Sequence, residues 1–261
     1  MSSLVVDQGI IHYEAYGRGS PVILLHGWLG SWNYWLGTME ALSNRYRTYA
    51  LDFWGFGDSG KRRESYSVTD FVSLVEQFMD RLGIEQAPIV GHSMGGTVAL
   101  SVALTYPHRV SKVSVVGSPI VGSSLNIFLQ LAGRPWIAVL VWNNPTLLQL
   151  GIKLFSPRIT RDWRGWYDMI IRDLSRTTLE SFFSSIGSLR DTDLRSQLSQ
   201  LTIPTMGVYG KGDNIVAPHQ AKLIAEGVPN GRIIMMENAK HFVMLDQPEE
   251  FNQTLINFLE S

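Results

Sequence analysis

The chain has no cysteine among its 261 residues. Disulfides and thiolate metal sites are therefore excluded, and the composition suits a reducing compartment. Neither sign of charge dominates: 22 Lys and Arg stand against 23 Asp and Glu, a formal net charge of −1. That balance argues against nucleic acid or an anionic surface as partner. The opening Met1-Ser2-Ser3-Leu4 lacks the basic start and apolar core of a signal peptide. The most apolar later run, Ile127 to Trp142, is broken by Gln130, Arg134 and Pro135 and is shorter than the about 20 residues of a membrane span. A soluble, cytoplasmic protein is expected. Internal repeats and low-complexity tracts are also missing.

What is present is alternation. Leu4–Val6 and Ile10–Tyr16 read as a hairpin around Asp7-Gln8-Gly9. Val22-Ile23-Leu24-Leu25 is a continuous apolar run, as in a strand buried on both faces. Helical spacing follows from about Trp32 to Asn44, then a strand at Thr48–Leu51 and a glycine-rich loop from Asp52 to Gly60. Phe71, Leu74, Val75, Phe78, Met79 and Leu82 recur at helical spacing after Ser67-Val68-Thr69-Asp70, and Gly83 closes that helix. Strands at Ile89-Val90 and Val110–Val116 flank a helix from Met94 to Tyr106. Such order predicts an α/β domain with a parallel sheet covered on both faces.

From Pro119 to about Leu201 strand signals stop. Helical pieces at Leu125–Leu131, Trp136–Trp142, Leu147–Phe155, Asp162–Leu174 and Leu179–Leu189 are separated by Gly133, Pro135, Pro145 and Pro157. Sheet pattern resumes at Ile203–Gly210, followed by a helix at His219–Glu226, a strand at Arg232–Met236 and a last helix at Glu249–Leu259. The expected division is a core of residues 1–118 and 202–261 with a helical cap at 119–201.

Gly91-His92-Ser93-Met94-Gly95 fits G-x-S-x-G between a strand and a helix. In that context the turn lifts a serine hydroxyl to the end of the strand, and the glycines remove side chains that so sharp a bend cannot tolerate. A serine becomes a nucleophile when a base takes its proton, and the base needs an acid to fix its tautomer. Ser93, Asp213 and His241 stand in the chain order that accompanies this motif. His12 falls in the hairpin, His92 adjoins Ser93, and His108 follows the elbow helix. His219 opens a helix, and His26, before Gly27, braces a loop. His241 remains as the base. Asp213 also fits an ordinary turn aspartate, and Asp246 is its rival, too near His241 along the chain to orient the ring. The oxyanion is expected on the backbone amides of Met94, at a helix start, and Trp28, in the loop after the third strand. Gly55-Phe56-Gly57-Asp58-Ser59-Gly60 fits G-x-G-x-x-G, but no helix begins there and no acidic residue ends a strand about 20 residues on, so no nucleotide site is inferred.

His26-Gly27-Trp28, Asp52 to Ser59, Gly91 to Gly96, Tyr106 to Val110, Gly210 to Asp213 and His241-Phe242 together resemble the α/β-hydrolase fold superfamily from end to end. The resemblance implies an eight-stranded, mostly parallel sheet, a helical cap over the site, and no cofactor or metal. The His-Gly-Trp loop is similar to that of small carboxylesterases, including aryl esterases and pimeloyl-ester hydrolases. Serine at position 93 departs from haloalkane dehalogenases and epoxide hydrolases, which carry aspartate there. His92 and Phe242 depart from carbon–carbon bond hydrolases, and Lys240 stands where members often have glycine. A serine hydrolase of small uncharged carboxylic esters with apolar acyl or aryl groups is expected. A lactonase, a thioesterase, a carbon–carbon hydrolase or a low-turnover receptor of this fold stay open. Trp28, Trp136, Trp142 and Phe242 are the aromatic side chains expected to line the substrate pocket.

Overall fold

The computed structural model describes residues 2–6, 9–61, 65–126, 129–130, 139 and 142–261. Strands β1 (Ser2–Val6), β2 (Gly9–Gly17), β3 (Ser20–Leu25), β4 (Tyr46–Leu51), β5 (Ala87–His92), β6 (Val110–Val116), β7 (Thr205–Gly210) and β8 (Gly231–Met236) form one sheet. Its order is β1-β2-β4-β3-β5-β6-β7-β8. β1 and β2 pair antiparallel, as do β2 and β4, and the strands from β4 across to β8 run parallel. Consecutive residues of a strand face opposite sides, and Val22, Ile23, Leu24 and Leu25 are each fully buried. Both faces of the sheet are therefore covered. The antiparallel hairpin seen in the sequence forms the β1 edge, with its turn residues Asp7 and Gln8 outside the described residues.

Helix α1 (Leu36–Leu42) is preceded by a 3₁₀ turn at Trp32–Trp35, where the sequence predicts one continuous helix. Helix α2 (Val68–Arg81) starts on a reciprocal cap: the Asp70 amide donates to Ser67 Oγ at 3.1 Å and the Ser67 amide to Asp70 Oδ2 at 2.8 Å. Its apolar face buries Phe71, Leu74, Val75, Phe78 and Met79, and it packs against α3 (Met94–Thr105). α3 is apolar nearly all round, which suits a helix locked between the sheet and α2.

Between β6 and β7 the chain leaves the sheet and returns at one place. The Gly122 amide donates to Thr192 O at 2.8 Å and the Leu194 amide to Ile120 O at 3.0 Å, around a bridge of Val121 with Asp193. Between these points lie α4 (Pro145–Ile159), α5 (Trp163–Ser175) and α6 (Leu179–Asp191). Pro157, expected to separate helices, sits inside the last turn of α4. One intrahelical bond is lost there, close to an end where carbonyls need outside partners anyway. The predicted piece Trp136–Trp142 lies mostly outside the described residues. After β7 come α7 (Gln220–Gly227), the short α8 (Val243–Asp246), which the sequence reading missed, and α9 (Pro248–Glu260).

Because β3 to β8 run parallel, their carboxyl ends share one edge of the sheet. Leu25 lies beside Gly91, Gly91 beside Val115, Val116 beside Val208, and Gly210 beside Met236. Loops leaving that edge carry Trp28, Ser93, Asp213 and His241, the position where ligand sites lie in such sheets.

Candidate active site

Ser93 joins β5 to α3 with φ 51° and ψ −119°, a left-handed conformation unusual for a residue with a side chain. Its amide donates to Val116 O at 2.8 Å, and its carbonyl accepts from the Gly96 and Thr97 amides, so both sides of the bend are held. Glycine is required around it by contact. A methyl group at Gly91 would overlap the Gly95 carbonyl, one at Gly95 would overlap the Leu25 and His26 carbonyls, and one at Gly96 would strike Ser118. Ser93 is 6% exposed.

The loop after β8 brings His241 to the same place. Its Nδ1 lies 2.9 Å from Asp213 Oδ2, with both side chains buried. Asp213 is also the turn aspartate its composition suggested: Oδ1 accepts the Ile215 and Val216 amides at 2.8 and 3.0 Å. The His241 amide donates to Ile159 O at 3.0 Å, and Lys240 Nζ to Pro157 O at 2.6 Å. A lysine before the histidine thus satisfies a carbonyl at the end of α4. Asp246 does not touch the ring. Its carboxylate accepts from the Lys240 and Arg161 amides and the Thr160 hydroxyl, tying the His241 loop to α4. The Ser93 hydroxyl makes no hydrogen bond to the His241 ring among the described residues, and bonds of this kind commonly tighten in the substrate complex.

On the other side lies the loop after β3. The Gly30 amide closes a turn onto Gly27 O at 3.1 Å, and Leu29 adopts φ 59° inside it. The Trp28 amide and the Met94 amide, first in α3, have no hydrogen-bond acceptor among the described residues. The other histidines brace. His26 donates from Nδ1 to Gly27 O at 2.7 Å and accepts the Phe53 amide on Nε2 at 2.8 Å, and burial lowers its pKa. His12 is buried in β2 against Asp52 Oδ2 at 2.8 Å. Burial pulls its pKa down, but Asp52 and Glu14 outweigh that and leave it raised. His12, Asp52 and Asp58 could be mistaken for a metal site. Asp52, however, also accepts the Trp32 and Asp58 amides at 2.7 and 3.0 Å, so its oxygens already hold the loop together.

Ser93 and His241 open onto a cavity of about 520 Å³. Among the described residues its lining carries no charged side chain, and Ser93, His241, His92 and Asn126 are its polar members. Trp28 and Phe242 line it. Trp28 donates from Nε1 to Phe182 O at 3.0 Å and packs tilted against that ring with centroids 4.5 Å apart, joining the β3 loop to α6. Trp142 packs on Phe182 at 5.6 Å and is not among the described lining residues, and Trp136 lies outside the described residues. Sequence reasoning missed Leu29, Trp166, Phe182 and Ile186, which also line the cavity. An apolar residue at helical spacing is core by default, and nothing local marks these as facing a cavity.

A family profile described as "alpha/beta hydrolase fold" matches residues 20–248. The pimeloyl-[acyl-carrier protein] methyl ester esterase of Aeromonas salmonicida is 30% identical over 266 residues, covering 95% of this chain and 99% of that protein. An esterase from Exiguobacterium antarcticum superposes with a TM-score of 0.85 at 24% identity, covering 98% and 97% of the two chains. The enol-lactonase from Burkholderia xenovorans superposes at 0.87 with 20% identity over the whole of both chains. At such identities the two structures speak for the fold alone. With its sheet order, its serine bend and the profile match all in one register, this chain belongs to the alpha/beta hydrolase fold family.

Proposed function

We propose that the protein is a serine hydrolase of carboxylic esters whose acyl or aryl part is apolar and uncharged. One observation carries the reading: Asp213 holds Nδ1 of His241, which leaves Nε2 on the other side of the ring, and His241 and Ser93 line one cavity. A carboxylate on Nδ1 keeps the proton there, so Nε2 is a base. In this reading Ser93 Oγ attacks the ester carbonyl while His241 Nε2 takes its proton. Negative charge on the carbonyl oxygen is met by the Trp28 and Met94 amides. His241 then gives the proton to the leaving alcohol, and an acyl group stays on Ser93. Water repeats the sequence and releases the acid. Each step moves one proton through one imidazole, and no cofactor or metal is called upon.

Substrate class follows from the lining. Among the described residues the lining offers a carboxylate or ammonium no opposite charge, so losing its water there would cost several kcal/mol or more. Residues 119–201 act as a cap over a core of 1–118 and 202–261 in this reading, and α6 and the end of α4 select what enters. The test is a series of p-nitrophenyl esters of rising acyl length, with a succinyl ester as the charged member. kcat/KM rises with apolar length and drops for the succinyl ester, and Ser93→Ala lowers kcat by on the order of 10⁴–10⁶. A preference for the charged ester would refute the substrate class. Turnover surviving Ser93→Ala would refute the chemistry, and a single turnover would favour a receptor. A parallel lactone and thioester series assigns the bond.

A further inference from the structure

His92, just before Ser93, plays no part in the steps above, yet its ring is 1% exposed and both nitrogens are engaged. Nε2 lies 3.1 Å from the backbone carbonyl oxygen of His241. A carbonyl can accept but not donate, so the ring proton sits on Nε2. Nδ1 is then an acceptor, and the group facing it is the Tyr34 hydroxyl at 3.2 Å. That hydroxyl gives its one proton to Nδ1, and its oxygen accepts from the Gly27 amide. Donor and acceptor roles are thus forced along the chain, from the Gly27 amide through Tyr34 and His92 to the main chain of His241. One end adjoins Trp28 and the other is the residue that carries the base. The contact is close as well as directional, since a methyl group on Gly27 would come within 2.9 Å of His92 Nδ1 and 3.0 Å of Ser93 Cβ. Tyr34 and His92 both pack on Phe242, with ring centroids 5.5 and 4.4 Å apart.

We propose that His92 is a positioning residue: through Tyr34 on one side and the His241 carbonyl on the other, it sets the spacing between the loop offering the Trp28 amide and the loop carrying the His241 ring. The proposal rests on the reading of Ser93, His241 and Asp213 as the reacting set. The arrangement needs a neutral imidazole. A second ring proton would end the Tyr34 donation and place a cation 4.7 Å from the His241 ring just as that ring takes the Ser93 proton. Burial, and then the nearness of His241, hold the His92 pKa well below its ordinary value, with the carbonyl bond opposing them. Burial likewise keeps Tyr34 protonated, and so a donor.

Three variants of the full chain test this, assayed on a short p-nitrophenyl ester beside Ser93→Ala. His92→Phe keeps a flat ring and removes both hydrogen bonds. His92→Gln returns an N–H to the His241 carbonyl, and Tyr34→Phe removes the relay alone. A misplacement of about 1 Å costs roughly 100-fold, so His92→Phe is expected to lower kcat by about that factor with KM changed less than about threefold. His92→Gln recovers about tenfold of that loss. Tyr34→Phe combined with His92→Phe loses no more than His92→Phe alone, because both act through one chain. If His92→Phe fails to fold, Tyr34→Phe and His92→Gln, singly and together, carry the same comparison. Wild-type kcat in the folded variants, a loss confined to KM, or losses that multiply would overturn the proposal. Turnover by Ser93→Ala would overturn the underlying reading and this inference with it. An inactive Ser93→Ala beside a normal His92→Phe would sink the inference alone.

Discussion

Asp213 lies 2.9 Å from the His241 ring through one carboxylate oxygen, while the other oxygen receives two amides of its own turn. The carboxylate is therefore immobile before it meets the imidazole. In Asp213→Asn the turn can keep its acceptor, but an amide NH₂ facing Nδ1 favours the wrong tautomer. kcat is expected to fall by on the order of 10⁴-fold with the fold intact by circular dichroism. A loss below about tenfold would mean that another group orients the ring.

A different carboxylate, Asp173, is expected to make stability depend on pH. Asp173 on α5 is 2% exposed, and the Ser31 hydroxyl lies 3.1 and 3.0 Å from its two oxygens. Burial, against that hydrogen bond, raises its pKa from the ordinary carboxylate range to about 7. The sign is the reverse of a salt-bridged aspartate. The folded state holds this proton more tightly than the unfolded chain, so the cost of ionisation is absent in acid below the unfolded pKa. It grows as pH rises and is complete above about 7. Asp173→Asn keeps an acceptor for Ser31 and abolishes that cost. Its melting temperature should match the wild type near pH 4 and exceed it by roughly 5 °C at pH 8. A difference that does not change with pH would contradict this.

Gly95 offers a test of the elbow that is free of catalysis. It lies in the first turn of α3, where alanine would ordinarily gain about 1 kcal/mol over glycine. Here the added methyl would overlap the carbonyls of Leu25, the last residue of β3, and of His26 just after it. Gly95→Ala is expected to lose more than about 2 kcal/mol in urea unfolding, or to fail to fold. Stabilisation would show that β3 and α3 are not in contact at the bend.

Trp28 separates backbone from side chain. Trp28→Phe retains a ring against Phe182 but removes the indole donor that reaches the Phe182 carbonyl at 3.0 Å. The amide assigned to the oxyanion is unchanged. The expected result is a loss of about 1 kcal/mol in stability, with kcat for a short ester within a few-fold of wild type. A loss of kcat beyond about 100-fold would mean that the indole itself acts in the reaction.

Legibility followed the range of the forces involved. Val22–Leu25, Ile89-Val90 and Val110–Val116 announced buried strands because both faces of a parallel sheet must be apolar. Ser93, Asp213 and His241 stand out in the sequence because a strand end, a turn and a loop carry recognisable residue types in a known order, and the structure brings Asp213 against the His241 ring. What stayed hidden depends on contacts across long stretches of chain. Nothing near Tyr34 shows that its hydroxyl links Gly27 to His92, and nothing near Phe182 shows that its carbonyl meets Trp28. Leu29 gave no signal either, since a leucine at positive φ runs against its own preference and is held there by the turn around it. Pro157 read as a stop because the rule for helix interiors is weaker in a last turn.

Activation of Ser93 by His241 is read directly by covalent labelling. Protein treated with a fluorophosphonate is followed by intact mass and peptide fragmentation over time. One adduct per chain is expected, on Ser93, absent in Ser93→Ala and formed far more slowly in His241→Ala. An adduct at another residue, or equal labelling rates with and without the His241 imidazole, would contradict it.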